Sequence, residues 1–183
     1  LVQREHLYDR ILVSRPIVPL GKDIGYLPGD KEEKLSHWME PIFDNLEYLL
    51  RKTQPDQPPA GAKKRPRLLT PQERITQLLD SDMLELEALT YIRGRSISRQ
   101  YMIVDEAQNL TPHEVKTVVS RAGEGTKVIL TGDPYQIDNP YLDASSNGLT
   151  YAAERLKELP LHGHVTLRQS ERSQLAAAAA KYL

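Results

Sequence analysis

Asp105 and Glu106 follow directly on an apolar run at 101–104 and are themselves followed by Ala107 and Gln108. A continuous apolar run of that length reads as a strand covered on both faces. The two carboxylates then fall at its carboxyl end, where open α/β sheets bind ligands. One carboxylate there can hold the shell of a Mg²⁺ ion, since hard cations take oxygen ligands, and a second can polarise a water for attack on a phosphate. Asp105 fits the metal-holding role and Glu106 the water-polarising one. An Asp-Glu pair by itself more often ends a strand in a solvated turn, so its surroundings must decide. A second apolar run at 127–130 ends in Thr131-Gly132-Asp133-Pro134-Tyr135-Gln136. Gly-Asp-Pro is an ordinary turn former. Beside the first acid pair, however, Asp133 and Gln136 become candidate nucleotide contacts, with Gln136 placed to sense a γ-phosphate.

The elements that must position these residues alternate along the chain. A β-branched run at 11–13 predicts a buried strand that ends at Ser14-Arg15-Pro16, and a loop with Gly21, Gly25, Pro28 and Gly29 follows. From Glu32, residues Leu35, Trp38, Met39, Ile42, Phe43, Leu46, Leu49 and Leu50 recur at helical spacing, with Pro41 expected to kink or break the helix. The stretch at about 53–69 is rich in proline and in Lys63, Lys64, Arg65 and Arg67, so it reads as a mobile loop. Thr70-Pro71-Gln72-Glu73 and Thr111-Pro112-His113-Glu114 each read as a helix start with a capping box and proline in the first turn. The second of these helices carries Val115, Val118, Val119 and Ala122 on one face and is expected to stop at Gly123. A helix at 149–159, a strand at 165–167 and an alanine-rich helix at 176–180 complete the pattern. The alternation predicts an α/β fold with a parallel sheet.

Length and composition set the outer bounds. A chain of 183 residues that is 39% hydrophobic supports one domain over 1–183. A formal net charge of −1 supplies no global basic field, so any nucleic-acid affinity must come from local patches. The absence of cysteine, of an apolar run of transmembrane length and of a leader pattern makes a cytoplasmic setting the default expectation, with no membrane. The five histidines show no zinc-ligand spacing.

The two acid-bearing strand ends, Val104-Asp105-Glu106-Ala107-Gln108 and Thr131-Gly132-Asp133-Pro134-Tyr135-Gln136, resemble motifs II and III of superfamily 1 helicases. More narrowly, Ser14-Arg15-Pro16, Gly25-Tyr26-Leu27-Pro28-Gly29, Tyr91-Ile92-Arg93-Gly94-Arg95-Ser96 and the segment at 167–173 are similar to the signature of PhoH-like ATPases. That resemblance implies a RecA-like P-loop NTPase with a three-layer parallel sheet. It also implies hydrolysis of ATP with Mg²⁺, assembly of homo-oligomeric rings, and action on RNA or single-stranded nucleic acid. In some members a PIN nuclease domain lies upstream. Carried over, Asp105 and Glu106 match the Walker B acids, with Asp105 at the metal. Gln136 matches the motif III glutamine, and Arg168 or Arg172 the late arginine that reaches a phosphate, in keeping with the bidentate fork of its guanidinium. Arg15, Arg93 and Arg95 are candidate contacts to the nucleic-acid backbone or to nucleotide, against the alternative of solvated charge or internal salt bridges.

One departure from the family pattern bears on function. No Gly-x-x-x-x-Gly-Lys-Ser/Thr occurs in the sequence, and Gly61-Ala62-Lys63 lies in the proline-rich stretch with no strand before it. The expected fold is therefore incomplete at its N-terminus, lacking the P-loop strand and most of its helix, with the missing piece upstream of residue 1. That strand belongs between those at 127 and 165, so the chain alone is expected to have unpaired edges and little activity. The leading expectation is an ATPase coupled to remodelling or unwinding of RNA or single-stranded DNA. The alternatives are a non-catalytic RNA-binding module using Arg15, Arg93, Arg95 and the basic stretch, and a protein-interaction domain.

Overall fold

A computed structural model of the chain describes residues 5–17, 31–52, 69–92, 94–167, 173–175, 178 and 182. Two compact units divide it, 1–152 and 153–183. The first unit holds a four-stranded sheet of order β2-β1-β3-β4, with β1 at Arg10–Arg15, β2 at Leu84–Ala88, β3 at Gln100–Val104 and β4 at Lys127–Leu130. Every pairing is parallel. Parallel neighbours cannot be joined by tight hairpins, so helices fill the connections. These are α1 at Lys31–Lys52, α2 at Pro71–Asp80 and α3 at Pro112–Val119, while α4 at Gly148–Leu156 follows the sheet and runs across the division between the units. The α/β reading of the sequence is thus what the chain builds.

β1 and β3 are the central strands, and their apolar runs are buried accordingly. Leu12, Met102 and Val104 are fully buried, and Val115, Val118 and Ala152 from the helices join them in one core with Leu110 and Ala107. β4 is more open, with no strand paired to its other edge among the described residues. β2 is an edge strand that the apolar-run reading overlooked. Its sequence alternates leucine and glutamate, which suits a strand with one wet face.

Both capping boxes form. The Thr70 hydroxyl accepts from Glu73 N at 3.2 Å while the Glu73 carboxylate accepts from Thr70 N at 2.8 Å. The Thr111 hydroxyl accepts from Glu114 N at 3.2 Å, and the Glu114 carboxylate accepts from Thr111 N at 2.9 Å. Three expectations need correcting. α1 runs through Pro41 without a break as one 22-residue helix, and Leu49, one of its helically spaced apolar residues, is 57% exposed. α3 ends at Val119, four residues before Gly123. Gly123 instead lies against the 96–98 segment, where a Cβ would overlap the Ser98 hydroxyl and come within 3.1 Å of the Ile97 carbonyl. Residues 165–167 form no strand, and Val165 and Leu167 are 81% and 87% exposed. Strand propensity without a ladder partner does not make a strand, and the second unit has none among its described residues. The expected loop at 53–69 and the alanine-rich segment at 176–180 fall largely outside the described residues.

Candidate functional site

Register decides what meets at the carboxyl edge of the sheet. Ser14 pairs with Val104 and Val104 with Leu130, so the next residues, Arg15, Asp105 and Thr131, stand in one row across three strands. The ladder is carried into that row by Asp105 N donating to Ser14 O at 2.9 Å and Thr131 N donating to Val104 O at 2.9 Å. Beyond the row Ala107 N donates to Thr131 O at 2.9 Å, which ties the turn after β3 to the end of β4.

Within the row the charges are shared closely. The Thr131 hydroxyl donates to Asp105 Oδ1 at 2.8 Å. Arg15 Nε lies 3.4 Å from Asp105 Oδ2, and Arg15 Nη2 donates to Glu106 Oε1 at 3.2 Å. Glu106 has φ 55° and ψ 38°, a left-handed conformation that costs a non-glycine residue about 1–2 kcal/mol. Such a conformation persists only where the surroundings over-determine it, and here it turns the carboxylate back over the end of the sheet. The other carboxylate oxygen, Oε2, accepts from Gln108 Nε2 at 2.6 Å.

Gln108 and Asn109 are the residues that a reading of the sequence leaves without a role. They form a short 3-10 turn with Ala107 and are fully and almost fully buried. Gln108 Nε2 donates both to Glu106 and to the Gln136 carbonyl at 2.9 Å, and its Oε1 accepts from Asp133 N at 3.3 Å. Asn109 Oδ1 accepts from Asp138 N at 2.7 Å and Asn139 N at 3.2 Å. Two buried side-chain amides therefore hold the whole loop after β4 against the acid pair. Gly132 makes room for this, because a Cβ there would overlap Gln108 Oε1. Gln108 is marked in the sequence by its place in the segment resembling motif II, and Asn109 only by its position before Leu110, since polar residues between apolar ones after a strand must find partners when buried.

Gln136 and Asp133 meet as expected for neighbours in one loop, with Gln136 Nε2 donating to Asp133 Oδ2 at 2.6 Å. Tyr135 and Tyr141 on the same loop are 87% and 90% exposed. Arg95 lies elsewhere, on the β2 face, where Nη1 reaches Glu85 at 3.2 Å and Glu87 at 2.5 Å. Burial raises the Glu87 carboxyl above its ordinary value despite Arg95. Arg93, Arg168 and Arg172 lie outside the described residues.

Two carboxylates and a hydroxyl are hard oxygen donors suited to Mg²⁺. Among the described residues no group of three His, Cys, Asp or Glu could hold a metal ion unaided.

The chain matches the family described as PhoH-like protein over residues 2–182. It is 55% identical over 185 residues to Protein PhoH2 of Bacillus subtilis (strain 168), with 100% of this chain and 38% of that protein covered. It is 39% identical over 175 residues to Protein PhoH2 of Mycolicibacterium smegmatis, with 95% and 35% covered. Identity is 35% over 162 residues to a PhoH-like protein of Bacillus subtilis, with 88% and 44% covered. The chain thus spans under half the length of these curated relatives. Its parallel sheet with flanking helices is consistent with a RecA-like P-loop NTPase fold, and the chain belongs to the PhoH-like protein family.

Proposed function

We propose that this chain supplies the metal-holding and water-activating side of an ATP-hydrolysing site that works on RNA or single-stranded DNA. The observation that carries the reading is the register-aligned row of Arg15, Asp105 and Thr131, with Glu106 held over it in a left-handed conformation. Mg²⁺ bound there would offset charge on the nucleotide phosphates. Asp105 is placed to hold that ion, with the Thr131 hydroxyl fixing its Oδ1. Glu106 is placed to accept the proton of an attacking water, and Gln108 fixes its Oε2. Gln136, anchored through its carbonyl to Gln108, is placed to report on a terminal phosphate to the loop that carries it.

Coupling to nucleic acid is supported by Tyr135, which is 87% exposed one residue before Gln136. Exposed aromatic rings stack on bases of single strands without sequence preference.

The test is Glu106→Gln in the longest polypeptide that carries this sequence. The expected outcome is a fall in ATP turnover of about 10²–10⁴-fold with nucleotide affinity retained. Turnover equal to that of the unsubstituted protein would remove the reading.

A further inference from the structure

The oxygens of the acid pair are divided between two kinds of partner. Asp105 Oδ1 is taken by the Thr131 hydroxyl and Glu106 Oε2 by the Gln108 amide, both built into the fold. The oxygens left over are Asp105 Oδ2 and Glu106 Oε1, the two nearest Arg15. A single guanidinium therefore covers both positions that a divalent cation and its attacking water need. Its contacts, at 3.4 and 3.2 Å, are longer than the roughly 2.7–2.9 Å of tight charge-assisted hydrogen bonds. The Arg15 side chain is 17% exposed, against 29% for Asp105 and 38% for Glu106, so the cation lies beneath acids that remain open to solvent.

We infer that Arg15 is a positioning residue that acts as a displaceable internal cation. Before Mg²⁺ arrives its single charge offsets half of the charge of Asp105 and Glu106 and contacts one free oxygen of each, and the metal must compete with it for Asp105. The inference rests on reading Asp105 as the metal-holding acid. Its physical basis is simple: two adjacent carboxylates repel each other at short range, and one fixed positive charge offsets part of that repulsion while lowering the attraction for a second cation. Gln108 already holds Glu106 Oε2, and Arg15 holds the remaining oxygen, Oε1. An arginine suits the role better than lysine, since its planar fork reaches two carboxylates at once.

The experiment measures Mn²⁺ binding by the loss of its free-ion electron paramagnetic resonance signal, without nucleotide, in the longest polypeptide that carries this sequence. Arg15→Gln is expected to bind Mn²⁺ about tenfold more tightly than the unsubstituted protein, Arg15→Lys to fall between them, and Asp105→Asn to remove the gain. Thermal melting gives a second readout in which millimolar Mg²⁺ raises the midpoint more in Arg15→Gln than in the parent. Should Arg15→Gln fail to fold, Arg15→Lys carries the same test. No gain in Mn²⁺ affinity in the folded variant, including no measurable binding in either protein, overturns the inference. Gained affinity alongside undiminished turnover in Glu106→Gln would leave the displaceable cation standing and remove the hydrolytic reading instead.

Discussion

Two arginine-carboxylate clusters lie on one sheet, and they are built in different ways. At the carboxyl edge Arg15 faces Asp105 and Glu106, consecutive residues, one of them at φ 55°. On the edge strand Arg95 faces Glu85 and Glu87, alternate residues of ordinary β2 backbone, with Arg10 pairing to Glu85 at 2.9 Å. Alternate residues share a strand face without effort, so the second cluster follows from the pleat alone. Consecutive residues point to opposite faces of a strand. Bringing Asp105 and Glu106 to one cation thus requires the strand to end and the backbone to enter a strained region. The Gln108 amide holds the Glu106 carboxylate in that conformation at the first cluster, whereas Glu85, Glu87 and Arg95 have no positive φ. A left-handed residue held by a buried polar partner is what the proposed site adds to an ordinary ion-pair cluster.

The comparison breaks most readily at Gln108. Gln108→Ala leaves the Gln136 carbonyl, the Asp133 N–H and one Glu106 oxygen without their side-chain partner. The expected outcome is a loss of about 1–2 kcal/mol in chemical denaturation. ATP turnover should fall roughly ten- to a hundredfold, the cost of misplacing a reacting group by an ångström or less. Gly132→Ala should produce the same pair of effects from the other side, since its Cβ would overlap Gln108 Oε1 and lie 3.2 Å from Ala107 N. A Gly132→Ala protein with unchanged melting and turnover would mean that the buried amide does not fix the loop.

How much of this was legible beforehand differs element by element. β1, β3 and β4 announce themselves as apolar runs, and the Thr-Pro-x-Glu starts of α2 and α3 are readable because each residue answers a specific unsatisfied amide. β2 hides because its Leu-Glu alternation is the mark of a half-wet edge rather than of a buried run. The pairing of Arg15 with the acids 90 and 91 residues away could not be read at all, since it depends on the register between β1 and β3. The same is true of the contacts that Gln108 and Asn109 make to the loop after β4, whose residues lie 25 to 30 positions on. Short-range grammar gives strands, caps and acids, whereas the contacts that hold the site come from the sheet.

A smaller effect sharpens the contrast from the architectural side. Arg95→Ala removes contacts to both Glu85 and Glu87, but its side chain is 40% exposed and solvent already screens much of the attraction. The expected loss of stability is about 0.2–1 kcal/mol, weaker in high salt, with ATP turnover unchanged. A tenfold loss of turnover in this variant would join the two clusters functionally and dissolve the distinction drawn between them.

The smallest expected effect is one of pH, and it depends on which member of the edge cluster is less solvated. Arg95 gains from the pair, with burial opposing its charge and Glu87 and Glu85 outweighing that, so its own value is raised. Glu87 loses, because burial raises its carboxyl above the ordinary 4.5 more than Arg95 lowers it, and Glu85 adds to the rise. Glu87 is the less exposed partner, at 18% against 40%, so its burial sets the sign. A carboxyl whose folded value exceeds its unfolded one binds a proton more tightly in the fold. Its contribution to stability is present below about pH 4.5 and is lost as pH rises through the raised value. Glu87→Gln should therefore cost more stability at pH 4 than at pH 7, where the wild-type carboxylate is charged and only partly solvated. Denaturation midpoints of the two proteins across pH 4–7 measure this, and a deficit that grew toward neutrality would show that the Arg95 pair outweighs the burial of Glu87.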